Sequence, residues 1–449
     1  MMKKTIAGFI CLAALTPLCG AVELKEALRI DGKTITVPAG EYTLAGKPVT
    51  VKSNFQITVP DVPPVKIENE SMVLPKAPLK EGDWNGKGQL SKLRIASITA
   101  CGSLDPESVA VVRKNHASLK EGEDYLVEKL WGRVVMGPSG KVADKEAVLV
   151  SYMSRLQRLD TVAADKSGEL FYLLGKETLI APQPPKLPGG YTVLFNVYRP
   201  YDSSAVLKEN IFLNETDPAT VKTGSTAGRI PKTLAKLKAG GPVTIVCWGD
   251  SVTVGADLAN PQERYSNRLE QQLKEKFPRA DITVTNISIG GTQSLFWMQG
   301  WDEKKADGCT FARILAAKPD LVTMEFVNDA GLPEARYQEL YDRIRRSLSE
   351  IGSEQILITP HFTHPVKMGT NDLRTKESRP YVAFLKAYSG ANHIALADAS
   401  ARWENLYRDG LPYTTLLANG WNHPDSRGHA FFAEELMKCF DDSAPAGGN

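Results

Sequence analysis

Four groups of residues in the second half of the chain have the types that acyl transfer requires. Ser251 ends a Gly-Asp-Ser block, Gly291 lies in a Gly-Gly pair, Asn328 follows an apolar run, and His423 precedes the last helical pattern. A serine hydroxyl can act as a nucleophile and a histidine as its general base, while backbone N–H groups and an amide can stabilise an oxyanion. These residues therefore predict serine-based chemistry on an acyl group.

The elements that must position these residues begin near residue 241, where strand and helix patterns start to alternate. The predicted strands are 244–248, 282–288, 321–326, 355–359 and 393–397, and the predicted helices include 264–277, 335–351 and 428–440. Such alternation predicts a parallel sheet with helices on both faces. Ligands of these sheets bind beyond the carboxyl ends of the strands. We therefore expect Ser251, Gly291 and Asn328, which each follow a strand, to lie at one edge.

On these blocks the C-terminal half resembles the SGNH hydrolase superfamily, also called the GDSL-type esterases and lipases. The resemblance covers residues 241–441, with Gly291 counted from Asn286 in the second block. It implies an α/β fold with a flavodoxin-like, doubly wound parallel sheet. It also implies that Ser251 is the nucleophile and His423 the catalytic base, and that Ser251, Gly291 and Asn328 form the oxyanion hole.

The fourth block departs from the Asp-x-x-His pattern of this family, because Gly420 stands three residues before the histidine. A glycine has no carboxylate, yet the imidazole needs an acceptor for its Nδ1–H to fix the tautomer. We expect the amide oxygen of Asn419 or a backbone carbonyl of that loop to accept this proton. A carboxylate from elsewhere, such as Asp398 or Asp425, is the alternative. A neutral acceptor would make the centre a Ser-His dyad.

Other residues near these blocks have weaker functional interpretations. Trp421 and Asp250 are candidate substrate-binding residues, because each stands close to a predicted catalytic residue in the chain. His361 and His364 have a spacing that could hold a metal, but no third ligand is evident, so we interpret them as loop or pocket-wall residues. We expect His429 to pack or cap the last helix. The sequence predicts no metal and no cofactor.

The N-terminal half contains short apolar runs with partial alternation, separated by Gly, Pro, Asn and Asp, which is typical of β-rich structure. We predict a small β segment, a β-sandwich-like domain, a linker, the hydrolase domain and a tail, at residues 22–80, 81–216, 217–240, 241–441 and 442–449. By analogy with other enzymes, the β-rich half would suit a carbohydrate-binding or positioning module.

The first 21 residues have the pattern of a secretory signal peptide. Lys3 and Lys4 precede an apolar run from Ile6 to Leu18, and small residues follow around Ala21. We therefore expect export to the periplasm or the exterior. A lipoprotein signal that uses Cys19 is the alternative. The apolar run is shorter than the ~20 residues that a membrane-spanning helix needs.

The charge of the chain bears on its partners, and its cysteine content bears on its disulfides. The chain has 54 basic and 52 acidic residues and no nucleic-acid-binding motif, so we expect no nucleic-acid partner. Beyond the predicted signal, four cysteines allow three complete pairings, among which the sequence does not choose. The apolar run around Cys247 favours a buried free thiol. The oligomeric state stays open.

These observations together predict an exported carboxylic ester hydrolase that removes a small acyl group, acetyl above all, from a carbohydrate. No long amphipathic lid or apolar patch flanks the four blocks, which favours a sugar ester over a lipid. Two alternatives remain, namely an acylhydrolase of lipid or aryl esters that uses the same residues, and a non-catalytic glycan-binding protein. Activity on 4-nitrophenyl esters of different acyl length would separate the three.

Overall fold

The computed structural model describes residues 22–215, 221–300 and 308–441. The predicted signal peptide, the predicted tail and residues 217–220 of the predicted linker lie outside these ranges. None of the helices within them is long and apolar enough to cross a membrane.

The N-terminal half consists of short strands with one short helix, which confirms the prediction of a β-rich region. The strands are β1 (Val22–Glu23), β2 (Arg29–Asp31), β3 (Thr34–Val37), β4 (Gly40–Leu44), β5 (Lys47–Val51), β6 (Phe55–Thr58), β7 (Val65–Val73), β8 (Arg94–Ile95), β9 (Ile98–Thr99), β10 (Leu104–Arg113), β11 (Tyr125–Glu128), β12 (Arg133–Met136), β13 (Ala147–Ser154), β14 (Arg158–Ala164), β15 (Leu170–Leu173), β16 (Thr192–Arg199) and β17 (Ile211–Leu213), and the helix is α1 (Leu24–Ala27). Alternate residues of β13 are buried, as expected for a strand with one face on a core.

Two apolar clusters hold this half together. In the first, the small sheets β1-β4-β5 and β2-β3-β6 pack on the four-stranded sheet β15-β14-β16-β17, so residues 24–59 lie against residues 162–213. In the second, β7, β10 and β13 pack with the β11-β12 hairpin. The domain boundary that we placed at residue 80 stays a prediction.

The C-terminal half alternates helices and strands. In chain order they are α2 (Pro231–Ala239), β18 (Pro242–Gly249), α3 (Ser251–Val254), α4 (Tyr265–Lys276), β19 (Asp281–Ser288), α5 (Ser294–Gln299), α6 (Phe311–Ala316), β20 (Leu321–Glu325), α7 (Tyr337–Glu350), β21 (Glu354–Ile358), α8 (Pro365–Met368), α9 (Pro380–Asn392), β22 (Ala395–Ala397), α10 (Ala399–Glu404) and α11 (Ser426–Cys439). All pairings among the five strands are parallel, in the order β19-β18-β20-β21-β22. This is the flavodoxin-like order of a doubly wound sheet, and the fold prediction is confirmed.

Each face of this sheet is buried under helices. Along β18, Ile245 and Cys247 belong to one apolar cluster, which α2, α4 and α11 cover. Val246 and Trp248 belong to the cluster on the opposite face, with α6, α7 and α9. Burial of both faces explains why β18 is a continuous apolar run, which is the usual pattern of a parallel strand.

The β-rich half docks on the hydrolase domain through directed contacts. Asn196 Nδ2 donates to the carbonyl of Gly410 at 2.7 Å, and Arg374 donates to the carbonyls of Glu209 and Ile211. Between the two halves lies a cavity of about 1060 Å³. The thiols of Cys101, Cys247 and Cys439 are free and buried. Cys247 is fully buried, as we expected, because it lies in the core of the sheet.

Candidate active site

Strand register brings three of the predicted residues to one edge of the sheet. Gly249 of β18 pairs with Ser288 of β19 on one side and with Glu325 of β20 on the other. The residues two or three positions further along each strand therefore emerge at the same level. These are Ser251, Gly290 with Gly291, and Asn328.

Ser251 is the first residue of α3, and its hydroxyl contacts His423. The Oγ atom lies 2.9 Å from Nε2 of His423, and the serine is 7% exposed. As the first residue of a helix, it has a backbone N–H with no partner inside that helix. The turn before it requires glycine, because a Cβ atom on Gly249 would lie 2.0 Å from Thr253 Oγ1 and 2.3 Å from the carbonyl oxygen of Glu325.

The second imidazole nitrogen contacts a carboxylate that our sequence analysis did not identify. Asp257 Oδ2 lies 2.5 Å from Nδ1 of His423, and both side chains are largely buried. Burial raises the pKa of Asp257, but hydrogen bonding to His423 and the charge of that imidazole lower it more, so the pKa lies below its usual value. Ser251, His423 and Asp257 thus form a continuous hydrogen-bonded series.

Asp257 has a backbone conformation that non-glycine residues rarely adopt. Its φ is 63°, in the left-handed region, where a side chain costs conformational energy. This conformation occurs in the loop after α3, six residues beyond Ser251. Since that loop leaves the carboxyl edge of β18, an acidic residue in it could have been considered as an acceptor. We searched for the acid near His423 in the chain, and so overlooked it.

Asn419 lies beside this pair, but it does not take the role that we expected. Its Oδ1 accepts hydrogen bonds from the backbone N–H groups of Trp421, Asn422 and His423, so that oxygen is turned away from the imidazole. Its Nδ2 donates to Asp257 Oδ2 at 2.8 Å and lies 3.1 Å from Nδ1 of His423. Asn419 therefore fixes the shape of the loop and supports the carboxylate.

The two carboxylates that we considered as alternatives lie elsewhere. Asp398 caps α10 and accepts hydrogen bonds from Thr359 and Ser400. Asp425 caps α11 and pairs with Arg427. Both are occupied as helix caps, which is the commonest role of aspartate at these positions.

The predicted oxyanion donors Gly291 and Asn328 lie in the loops that follow β19 and β20, the two strands that flank β18. A Cβ atom on Gly290 would lie 3.6 Å from the Cβ of Ser251, so this turn approaches the serine closely. Gly291 follows with a φ of +76° and open space beside it. Asn328 is fixed by its backbone N–H, which donates to Asp250 Oδ2, and by its Nδ2, which donates to the carbonyl of Thr292. One proton of that Nδ2 remains for another acceptor.

Asp250 lies behind this arrangement, where a substrate does not reach it. It is fully buried, and its carboxylate accepts hydrogen bonds from the N–H groups of Val252 and Asn328. Its interpretation as a substrate-binding residue is therefore replaced by a structural one, since it joins the serine helix to the asparagine loop. Glu325 and Asp329 are fully buried close to it, and burial raises the pKa of all three carboxyl groups.

The β-rich half contributes directly to the site. The β8-β9 hairpin brings Ser97 to Asp257, where its Oγ lies 3.3 Å from Oδ2. The ring of Trp131 meets that of Trp421 edge to face, with centroids 4.7 Å apart. Trp421 is only 6% exposed, so little of its ring is free for a substrate.

Three further histidines, His361, His364 and His429, contact the loops around the site. His361 is fully buried, and its Nε2 lies 2.9 Å from the carbonyl oxygen of Asn422, next to His423. His429 is buried in α11 and accepts a hydrogen bond from the N–H of Tyr265. The His364 ring packs on Trp421. Within the described residues, no group of three metal-ligating side chains occurs.

Comparison with solved structures finds several hydrolases that are similar to part of this chain. A two-domain esterase (CEX) active on acetylated mannans, co-crystallised with mannopentaose, is 24% identical over 51% of this chain and 58% of its own, with a TM-score of 0.37. Axe2, an acetylxylan esterase from Geobacillus stearothermophilus, is 18% identical over 45% of this chain and 95% of its own, with a TM-score of 0.36. LAE5, from the metagenome of Lake Arreo in Spain, is 20% identical over 44% of this chain and 97% of its own, also at 0.36. The match therefore spans little more than half of the two-domain esterase.

No curated protein sequence is significantly similar to the chain. The sequence profile of the GDSL-like lipase/acylhydrolase family matches residues 247–431, which include Ser251, Gly291, Asn328 and His423. This range agrees with the one over which the four blocks suggested the resemblance. Over residues 247–431 the chain therefore matches the GDSL-like lipase/acylhydrolase family.

Proposed function

We propose that this protein is an exported serine esterase that removes small acyl groups, chiefly acetyl, from carbohydrate. The observation that carries the proposal is the hydrogen-bonded series from Ser251 through His423 to Asp257, next to backbone and amide donors. A hydroxyl, a base with a fixed tautomer and adjacent oxyanion donors are the groups that ester hydrolysis through an acyl-enzyme requires. No metal or cofactor takes part in the proposed reaction.

The proposed reaction has two steps. His423 Nε2 takes the hydroxyl proton as Ser251 Oγ attacks the ester carbonyl, while Asp257 accepts the Nδ1–H bond and stabilises the imidazolium. The oxyanion lies among the N–H groups of Ser251 and Gly291 and the amide of Asn328. The imidazolium then protonates the departing sugar hydroxyl. A water molecule, deprotonated by His423, attacks the acyl-enzyme and releases the acid.

The cavity between the two halves favours a hydroxylated acceptor over an acyl tail. It is lined by residues of both halves and reaches Gly420, which adjoins Asn419 in the His423 loop. Its wall includes the polar side chains of Tyr198, Tyr201, Asn210, Asn371 and Tyr407. Polar groups of this kind can pair with sugar hydroxyls. The β-rich half would then help to position a glycan.

Export is part of the proposal and depends on the N-terminal pattern of lysines, apolar run and small residues. Expression of the full chain in a bacterial host, followed by fractionation and N-terminal sequencing, tests this part. We expect the mature protein outside the cytoplasm with a start close to residue 22. An uncleaved protein in the cytoplasm would contradict export and leave the enzymatic proposal standing.

The enzymatic proposal is tested with the full chain and its Ser251→Ala variant on 4-nitrophenyl acetate, butyrate and decanoate. We expect hydrolysis that falls with acyl length and is lost in the variant. The rates of acetate release from acetylated xylan, from acetylated mannan and from a peracetylated disaccharide are then compared. A higher rate on the polysaccharides measures the preference for a glycan. Ser349→Ala, which removes an exposed hydroxyl near the end of α7 and far from the cavity, is the matched control variant.

Each alternative function predicts a different outcome. Faster turnover of the decanoate than of the acetate would favour a lipid acylhydrolase. An inactive parent that binds the acetylated glycans in calorimetry would favour a non-catalytic binding protein. Equal activity of Ser251→Ala and the parent would refute the role of the serine.

A further inference from the structure

Lys367 is a cation beside the candidate active site that has no carboxylate partner. It lies in α8, and its Nζ is 5.4 Å from the centre of the Trp421 ring. No ion pair of Lys367 with a carboxylate of the described residues occurs, and its ammonium group instead lies over the Trp421 ring. A charge in this position can therefore take a partner from outside the chain.

The neighbours of Lys367 place it close to both proposed catalytic residues. Trp421, under its ammonium group, precedes His423 by two residues, and the only carboxylate whose charge acts on its pKa is Asp250, which precedes Ser251. Surrounding protein lowers the pKa of Lys367, and the charge of Asp250 partly offsets this effect. The residue is nevertheless exposed. Its side chain is thus open to solvent and to a ligand.

His364, which precedes α8, is a second donor next to Trp421. The ring of His364 packs on Trp421 with centroids 5.0 Å apart, and its Nδ1 accepts the N–H of Val366. Because Nδ1 is the acceptor, the ring carries its proton on Nε2. Burial lowers the pKa of His364 to about 4, so the ring is neutral near pH 7. His364 and Val366 line the cavity between the halves, and Lys367 follows Val366 directly in the chain.

We propose that Lys367 binds a carboxylate of the substrate, so that the preferred ester lies on an acidic glycan, one built of uronic acids or another sugar acid. The inference rests on the proposed esterase function and narrows its substrate class. An ammonium group and a carboxylate form a charge-assisted hydrogen bond, which is stronger than a bond between neutral groups. A partly enclosed position strengthens it further, because screening by solvent is reduced.

Lys367 has one structural interpretation that competes with this proposal. Its charge could serve only to offset the buried carboxyl groups behind Ser251. In that case its removal would affect the hydrolysis of every ester to the same extent, charged or neutral. A comparison of charged and neutral forms of one substrate therefore separates the two interpretations.

The experiment uses acetylated oligogalacturonides and the methyl esters of the same oligomers, which keep the acetyl groups and lose the charge. Acetate release gives kcat/KM for both forms with the parent, Lys367→Gln, Lys367→Arg and Lys232→Gln. Lys232 is an exposed lysine at the start of α2, bonded through its N–H to Glu354 at the opposite edge of the sheet, and serves as the matched control. 4-Nitrophenyl acetate is the uncharged reference.

We expect the parent to prefer the acid form by about 10-fold, mainly through KM, as one charge-assisted hydrogen bond would provide. Lys367→Gln should lose the preference, and Lys367→Arg and Lys232→Gln should keep it. The preference should also shrink as salt is added. Equal rates of the parent on both forms, or an equal loss on both in Lys367→Gln, would overturn the inference alone. A parent inactive on all the esters, the reference included, would overturn the esterase function and this inference with it.

Discussion

Oδ2 of Asp257 lies 2.5 Å from Nδ1 of His423, although 166 residues separate the two in the chain. The carboxylate comes from the loop that follows the serine helix, and the imidazole comes from the loop before the last helix. Ser251 and Asp257 therefore lie in one region of the chain, at the start of α3 and in the loop after it. His423, which lies between them in the hydrogen-bonded series, comes from the end of the domain. Gly420 stands where the family pattern has an acid, and it has no carboxylate. Asp257 provides the hydrogen bond to His423 Nδ1 instead.

Asp257→Asn tests whether this carboxylate acts in the reaction. An amide in its place can present N–H to Nδ1 and stabilise the wrong tautomer, so we expect kcat to fall by about 10²–10⁴-fold. The measurement is hydrolysis of 4-nitrophenyl acetate at pH 7.5, with folding checked by circular dichroism. Asp425→Asn is the matched control, because asparagine also caps helices well, and it should retain activity. Undiminished kcat in Asp257→Asn would instead indicate a Ser-His dyad.

Asn328→Ala removes the only side-chain donor of the proposed oxyanion hole. We expect a loss of about 10²–10³-fold in kcat with little change in KM, since the bond strengthens in the transition state. Steady-state kinetics on the acetate ester measure both constants. Asn392→Ala, at the end of α9 and close to the amino edge of the sheet, is the control and should leave kcat within a factor of two. A variant that changes only KM would place Asn328 in ground-state binding.

Ser97→Ala tests the contribution of the β-rich half to the acid. The hydroxyl is a third donor to Asp257 Oδ2, and its bond is long, at 3.3 Å. Loss of one long hydrogen bond to this carboxylate corresponds to a decrease of about 2–10-fold in kcat/KM. Because the bond lowers the pKa of Asp257, its loss should also shift the acid limb of the pH profile upwards. Thr in place of Ser97 should restore the parent profile, and Ser91→Ala is the control in the same half.

Glu325→Gln tests the buried carboxyl group behind the serine. Both carboxylate oxygens are buried and have no hydrogen-bond partner, and burial raises the pKa of Glu325 well above its usual value. The folded protein therefore holds a proton that the unfolded chain releases above about pH 4.5, so the free energy of unfolding of the parent falls as pH rises from there. Glutamine is neutral in both states and avoids this loss.

We therefore expect little difference between Glu325→Gln and the parent at pH 4.5 and a more stable variant at pH 8. Each kcal/mol corresponds to roughly 2–4 °C in the melting temperature of a domain of this size. Calorimetry at both pH values measures the difference. Glu334→Gln, an exposed glutamate, should give the same difference at both. A Glu325→Gln variant that is less stable than the parent at pH 8 would mean that the folded state gains from the ionised carboxylate.

The sequence determined the hydrolase fold and most of the site, because both depend on local patterns. Apolar runs that are buried on both faces predict parallel strands, and the residues after each strand share an edge by geometry alone. Ser251, Asn328 and the Gly290-Gly291 turn were found in this way, and His423 by its place before α11. For the N-terminal half the sequence predicted β-rich structure but not the pairing of the strands, because partial alternation does not specify which strands pair.

The tertiary structure alone decided which group accepts the Nδ1–H bond, what Asp250 does and how the halves meet. The partner of His423 depends on the path of the loop after α3, and a left-handed φ at Asp257 directs that path. Asp250 is exposed or buried according to how the Asn328 loop folds over it. Ser97 and Trp131 reach the site through packing between distant segments. Contacts of this kind arise from the whole set of packing interactions, so no local pattern encodes them.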